Sequence, residues 1–420
     1  MKIEAQKIYV PLFVLVILLQ LYQPSFKINI FIQILALMFC VFLENIRFSN
    51  KFLQYIYTLV VLLLLGFIGT VINKYKVYDI IKDIVHFLKP ITGLLIGYIV
   101  FRRIDNFKVF LQTIVNASVI SAFIHFGIIL FLVGSHPSLE DIREYTKDNF
   151  LELFGLFFII FYKIKEGISL FQNKLYIKLA IVVLAISNIL YFSRTMIIVA
   201  VILVLSVYGL TKVTRRNLKI VGVLLLCTGL LYAYLYSVNI QRDKRGLDGF
   251  LYKVKMAPEE IFTTNIDRDN LRDLYDHWRG YEAKRAFALM NSEPLSYLVG
   301  TGHGSLVNLK FYAPLTGEPK GIRYIAELHN GYVYVLYKTG ILGILIYLLI
   351  LGRWYSYIYK GNSFRHILVS GIGAVYFSSS ITITGIYNGR DIIIFILGGA
   401  LYYAGVNYKK PVIIQNSHAQ

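Results

Sequence analysis

The sequence predicts an all-α integral membrane protein, with about twelve transmembrane helices and one large extracytoplasmic loop between the ninth and tenth. Three observations carry that prediction. First, 57% of the 420 residues are hydrophobic and 16% charged, with mean hydropathy +0.61. Soluble domains run nearer 45–50% apolar and about 25% charged. A water-soluble core of this length cannot bury so much apolar side chain, so lipid is the solvent for much of it.

The second observation is the recurrence of apolar runs at 8–22, 28–42, 52–72, 84–101, 109–133, 150–162, 175–190, 195–210, 218–238, 329–351, 367–386 and 392–406. A straight crossing needs about 20 residues, so the shorter runs continue into their flanks or thin the bilayer. The first run is followed by no small-residue cleavage site and is read as a span rather than a signal peptide. Cys40 and Cys227 both lie in apolar runs and read as packing residues.

The third is charge. Of the net +19, the loops on the N-terminal side of the alternation hold +16, from cations such as Lys51, Arg102, Arg103, Lys163, Arg215, Arg216 and Arg353. The opposite short loops hold +1, the long loop another +1, and Lys338 inside a span the last. By the positive-inside rule both termini are cytoplasmic and the long loop lies outside. The basic excess follows the loops and forms no patch on a soluble domain, so a nucleic-acid partner is excluded. The chain thus divides into a bundle of nine spans (1–238), an extracytoplasmic loop (239–328) and a bundle of three spans (329–420). Charges and apolar residues mix at helical spacing over 268–290, which predicts amphipathic helices at the membrane surface. The halves differ in loop length and show no repeat, unlike transporters built from repeated units.

Ionisable groups at membrane boundaries are functional candidates. Arg194, in the short turn between the seventh and eighth runs, His329, opening the tenth, and Arg390, before the twelfth, all fall at the outer face. Arg279 hangs above them in the loop.

Three stretches then resemble a family. Residues 329–352 (HNGYVYVLYKTGILGILIYLLILG) look like the signature of the O-antigen ligase and polymerase superfamily. The FSRT of 192–195 is similar to its Ser-Arg span. RGYEAKRAF, followed by PLSYLVGTGHG at 294–304, is similar to its Arg-then-aromatic helix and Gly-x-Gly turn. The resemblance covers about 175–352. It implies a lipid-sugar-dependent (GT-C-like) glycosyltransferase, independent of metal and without cofactor, in the bacterial inner membrane. The donor would be an oligosaccharide on undecaprenyl pyrophosphate. Arg194 and Arg279 would bind the pyrophosphate, and His329 would take the acceptor's proton, with Arg285, Arg390 and Asn330 as further substrate-binding residues. The chain departs from the pattern at Glu282, where the family has tryptophan three residues after the arginine. Arg285 and Arg272 are therefore substitutes for Arg279.

Each role suits the chemistry. Guanidinium is planar, always charged and often bidentate toward phosphate. Cations beside a leaving pyrophosphate stabilise the transition state more than the ground state. Histidine titrates near neutrality. Polymerisation of lipid-linked repeat units into a surface polysaccharide is the first reading, with acceptor and donor both lipid-linked, membrane lipid around them and a chain-length regulator as a further partner. The alternatives are transfer of the glycan to lipid A-core by a ligase and, from another class, a lipid-linked oligosaccharide flippase.

Weaker signals remain. Asp267 and Asp269, with Asp273 and Asp276, resemble a metal-binding Asp-x-Asp cluster but read better as a solvated face. VGTGHG at 299–304 reads as a turn rather than a phosphate cradle. His277 and His303 read as ordinary polar loop histidines, and Lys338, inside a span, is left without an assigned role.

Overall fold

The computed structural model describes residues 2–23, 25–43, 48–133, 146–240, 247–263, 265–267, 270–314 and 321–405. It is almost wholly helical. Each of the twelve apolar runs falls in a helix: α1 (Lys2–Tyr22), α2 (Phe26–Leu43), α3 (Asn50–Ile72), α4 (Val77–Ile104), α5 (Phe107–Ile128, continued as a π-turn over Ile129–Val133), α6 (Phe150–Glu166), α7 (Lys174–Leu190), α8 (Arg194–Val207) and α9 (Arg215–Ser237), then α14 (Gly331–Tyr355), α15 (Phe364–Thr382) and α16 (Ile393–Gly405). Seven of these, α1 to α5, α9 and α14, are long and apolar enough to cross a membrane; the other five are shorter or more polar. The protein is therefore a multi-pass membrane protein.

Side-chain caps set the helix starts. Ser49, Asn106, Asn149, Asn173, Ser193 and Thr214 each accept a hydrogen bond from a backbone N–H in the first turn that follows. The interior is built around α4, which is largely buried and packs on α16. Glycine permits that approach. A β-carbon on Gly97 would lie 2.1 Å from the Phe395 carbonyl oxygen, and one on Gly398 would lie 2.3 Å from that of Leu94. By contrast α9 is exposed over nearly its whole length, so Cys227 is exposed rather than packed, whereas Cys40 is buried.

The segment between α9 and α14 is more structured than the sequence suggested. It holds α10 (Leu247–Phe262), α11 (Leu271–Asp276), α12 (Trp278–Ser292) and α13 (Ser296–Val299), followed by an antiparallel pair, β1 (Val307–Ala313) and β2 (Ile322–Ile325). The strands were not anticipated. α12 does not float at a surface: Trp278, Tyr281, Glu282, Ala286 and Met290 are buried, and the helix packs on β1 and α14.

A knot of polar contacts fastens this segment to the bundle. α14 breaks its helical path at Gly340 (φ 68°), and the Tyr337 and Lys338 carbonyls accept the N–H groups of Thr301 (2.8 Å) and Gly302 (3.1 Å). Gly304 N–H donates to Asp83 at 2.7 Å, and His303 N–H to the Gly66 carbonyl at 3.2 Å. The amides of the glycine turn are thus spent inside the protein, which leaves no phosphate cradle. Lys338, fully buried, donates to Asp83 at 2.5 Å and to the Ser305 carbonyl at 2.6 Å. His303 is no polar loop residue. Its ring is fully buried against Gly66, and Nε2–H donates to the Leu63 carbonyl at 2.8 Å.

Candidate functional site

The polar candidates gather at one end of the bundle, where α1 and α15 finish and α2, α4, α6, α8, α14 and α16 begin. Arg194 is there because the chain between α7 and α8 is only Tyr191, Phe192 and Ser193, with Ser193 capping α8. Its guanidinium donates to Glu260 Oε2 at 2.8 Å and to the Lys253 carbonyl. Arg279, at the start of α12, reaches the other oxygen of the same carboxylate, Oε1, at 2.5 Å. Two arginines from separate parts of the chain thus close on one carboxylate of α10.

His329 stands two residues before α14. Its backbone N–H (3.0 Å) and its ring Nδ1–H (2.9 Å) both donate to Glu282 Oε2. Glu282 is almost completely buried, while the imidazole is 54% exposed. Anchoring Nδ1 leaves Nε2 as the ring nitrogen with no partner among the described residues. The charge balance differs from what a helix start alone suggests. Burial lowers the His329 pKa, but the hydrogen bond and charge of Glu282 outweigh it, and the pKa is raised. Glu282 thus sets both its orientation and its basicity.

These groups line a cavity of about 550 Å³, with Lys82, Glu260, Arg279, Glu282, Glu327 and His329 on its polar walls and Tyr275, Trp278 and Tyr324 on its aromatic ones. The indole Nε1 of Trp278 and the Nε of Arg279 are buried without hydrogen-bond partners among the described residues. Aromatic faces beside spare donors suit sugar rings and anionic oxygens.

A second cavity, of about 400 Å³, lies on the other side of Glu327 and His329, which line both. Its walls include Gln23, Phe26, Asn29, His86, Lys147, Asn388 and Arg390. His86 Nε2 lies 2.7 Å from Glu327 Oε1, and its ring stacks on Phe26 at 3.9 Å. Burial raises the Glu327 pKa, but His86 with Lys82 and Lys89 outweighs it, so the carboxyl is held low and ionised.

The structure therefore brings Arg279 and His329 to one cavity, joins Arg194 to its wall through Glu260, and brings Arg390 to the neighbouring cavity. It does not bring Arg285 there: its Nε donates to the Asn308 carbonyl at 2.9 Å, toward β1. Asn330 is occupied as the cap of α14, accepting from Val333 N–H at 3.1 Å. Asp273 holds His277 at 3.0 Å and accepts the Asp267 N–H at 2.6 Å; Asp269 lies outside the described residues, as does the side chain of Arg272. Sequence reasoning missed Glu260 as the joint of the two arginines, and it read Glu282 only as a departure from a pattern.

The protein is thus a many-helix membrane protein whose ionisable groups collect around paired cavities at one end of the bundle. Residues 179–348 match the family model described as O-antigen ligase, a stretch running from α7 into α14 and containing Arg194, Glu260, Arg279, Glu282 and His329. The match covers two fifths of the chain and is consistent with the O-antigen ligase/polymerase superfamily. No curated protein gives a significant match to the chain.

Proposed function

We propose that this protein is a glycosyltransferase that polymerises undecaprenyl-pyrophosphate-linked repeat units at the outer face of the bacterial inner membrane. The observation that carries the reading is the meeting of Arg194 and Arg279 on Glu260, with Glu260 and Arg279 lining the same cavity as the His329–Glu282 pair. Two guanidiniums that converge on a carboxylate are spaced to converge on a phosphate, whose oxygens ask for the same planar donors. In the working enzyme the donor's pyrophosphate takes the place of the Glu260 carboxylate.

His329 Nε2 takes the proton of the acceptor hydroxyl, and Glu282 stabilises the resulting imidazolium through Nδ1–H. The hydroxyl oxygen forms its bond to the anomeric carbon as that carbon's bond to the pyrophosphate oxygen breaks. The electron pair leaves on undecaprenyl pyrophosphate, where Arg194 and Arg279 meet the growing charge. The two arginines supply the positive charge that a metal ion supplies in other transferases, so the reaction proceeds in a chelator.

The +16 charge bias supports an outward-facing site, and the second cavity beside His329 gives a second substrate room to approach. The test is purified protein in nanodiscs with lipid-linked repeat units. A ladder of products supports polymerisation. Single transfer to lipid A-core makes the protein a ligase, and movement of the lipid without bond formation makes it a flippase.

A further inference from the structure

We infer that the second cavity is an anion site of its own, in which Lys147 and Arg390 hold the phosphate-bearing headgroup of the acceptor lipid. This rests on the glycosyltransferase reading for the word acceptor, but the anion site stands on separate observations.

Lys147 and Arg390 both line this cavity of about 400 Å³, and both also line the small recess of about 130 Å³ behind it. They are held toward each other from two distant parts of the chain, one just before α6 and one in the turn before α16. Partial burial and then the Arg390 charge pull the Lys147 pKa down, as a like charge nearby does. Among the described residues neither is ion-paired with a carboxylate, whereas Arg194, Arg279, Lys338, His86 and His329 all are. Glu327 in this wall is engaged by His86, and Asp148 in the recess pairs with neither cation among the described residues, which leaves Lys147 and Arg390 for an anion from outside.

The rest of the wall is suited to sugar. Gln23, Asn29, Thr384 and Asn388 offer amide and hydroxyl groups. Asn29 is nearly fully buried; its Nδ2 donates to the Gln20 and Gln23 carbonyls, and its Oδ1 has no hydrogen-bond partner among the described residues. That oxygen is free to accept from a ligand hydroxyl. With His329 in the wall between the cavities, a headgroup held by Lys147 and Arg390 presents its first sugar to the side of the ring opposite the arginine pair.

The shared chemistry is a phosphorylated lipid glycan. Its source is either a second undecaprenyl-pyrophosphate-linked repeat unit or a phosphorylated lipid A-core, and the experiment separates them. Full-length protein in nanodiscs is titrated with undecaprenyl pyrophosphate, and bound lipids are counted by native mass spectrometry. Wild type binds two. Lys147→Gln with Arg390→Gln binds one, and so does Arg194→Gln with Arg279→Gln. Arg390→Lys retains two, which shows that the loss follows charge and not folding. If phosphorylated lipid A-core takes the second place more tightly than undecaprenyl pyrophosphate, the acceptor is of the ligase kind. One bound lipid in wild type, or two in the Lys147/Arg390 variant, overturns the inference. Because binding is read without turnover, failure of the transferase reading appears separately, as two bound lipids but no product when lipid-linked repeat units replace the bare undecaprenyl pyrophosphate.

Discussion

Arg194 and Arg279 grip opposite oxygens of Glu260, at 2.8 and 2.5 Å, although one opens a membrane helix and the other belongs to the segment above it. All three side chains are largely sheltered, at 23%, 22% and 16% exposed. On the proposed function, a carboxylate so placed would compete with the donor's phosphate for both guanidiniums.

Glu260→Gln removes that competitor's charge while keeping its shape. Donor affinity should rise about tenfold, equivalent to roughly 1.4 kcal/mol, as read by titration of donor lipid. A tenfold fall would mean that Glu260 serves to hold the arginines ready, and that the donor binds beside it.

Glu282 governs how His329 titrates. The base must be neutral to act, so activity falls as pH drops through its pKa. Glu282 has raised that pKa against the effect of burial. In Glu282→Gln the acidic limb of the pH–rate profile should move to lower pH. The plateau should drop roughly tenfold to a hundredfold, because Nδ1 loses its anionic partner. An acidic limb that stays in place would remove Glu282 from the proton path.

The Lys338–Asp83 pair is structural, tying α14 and the glycine turn to α4. Lys338→Met leaves Asp83 buried and unpaired, and should cost about 3–5 kcal/mol of stability. Adding Asp83→Asn should recover part of it, since an amide oxygen still accepts the Gly304 N–H. Apparent melting temperatures in one detergent decide this, and equal melting of wild type and Lys338→Met would refute it.

Sidedness follows from charge. A reporter fused after Arg216 should behave as cytoplasmic and one inserted near Gly317 as external. The same result at both positions removes the outward-facing site.

The helices were legible because each apolar run is a local signal, and caps such as Ser193 and Asn149 lie beside the runs they start. Arg194 and His329 were legible for a related reason, being ionisable groups where apolar runs begin. The hairpin left a trace that went unread. Val307, Leu309, Phe311 and Ala313 alternate with polar or exposed residues at the period of two that marks a strand. Glu260, Glu282 and Lys147 left no such trace. Their roles come from partners far away in the chain, and nothing in a run of mixed charges tells which carboxylate will be buried against which cation. Lys338 was undecided for the same reason, since Asp83 lies on another helix.

The central claim is that Arg194 and His329 do different work on one reaction, and donor binding measured alongside product formation tests it. With labelled lipid-linked repeat units in nanodiscs, His329→Ala should bind donor nearly as wild type does and form no ladder. Arg194→Ala should lose both. Arg194→Lys should insert normally yet be severely impaired, because an ammonium cannot reproduce the guanidinium's planar fork. Near-normal elongation by His329→Ala would contradict the account.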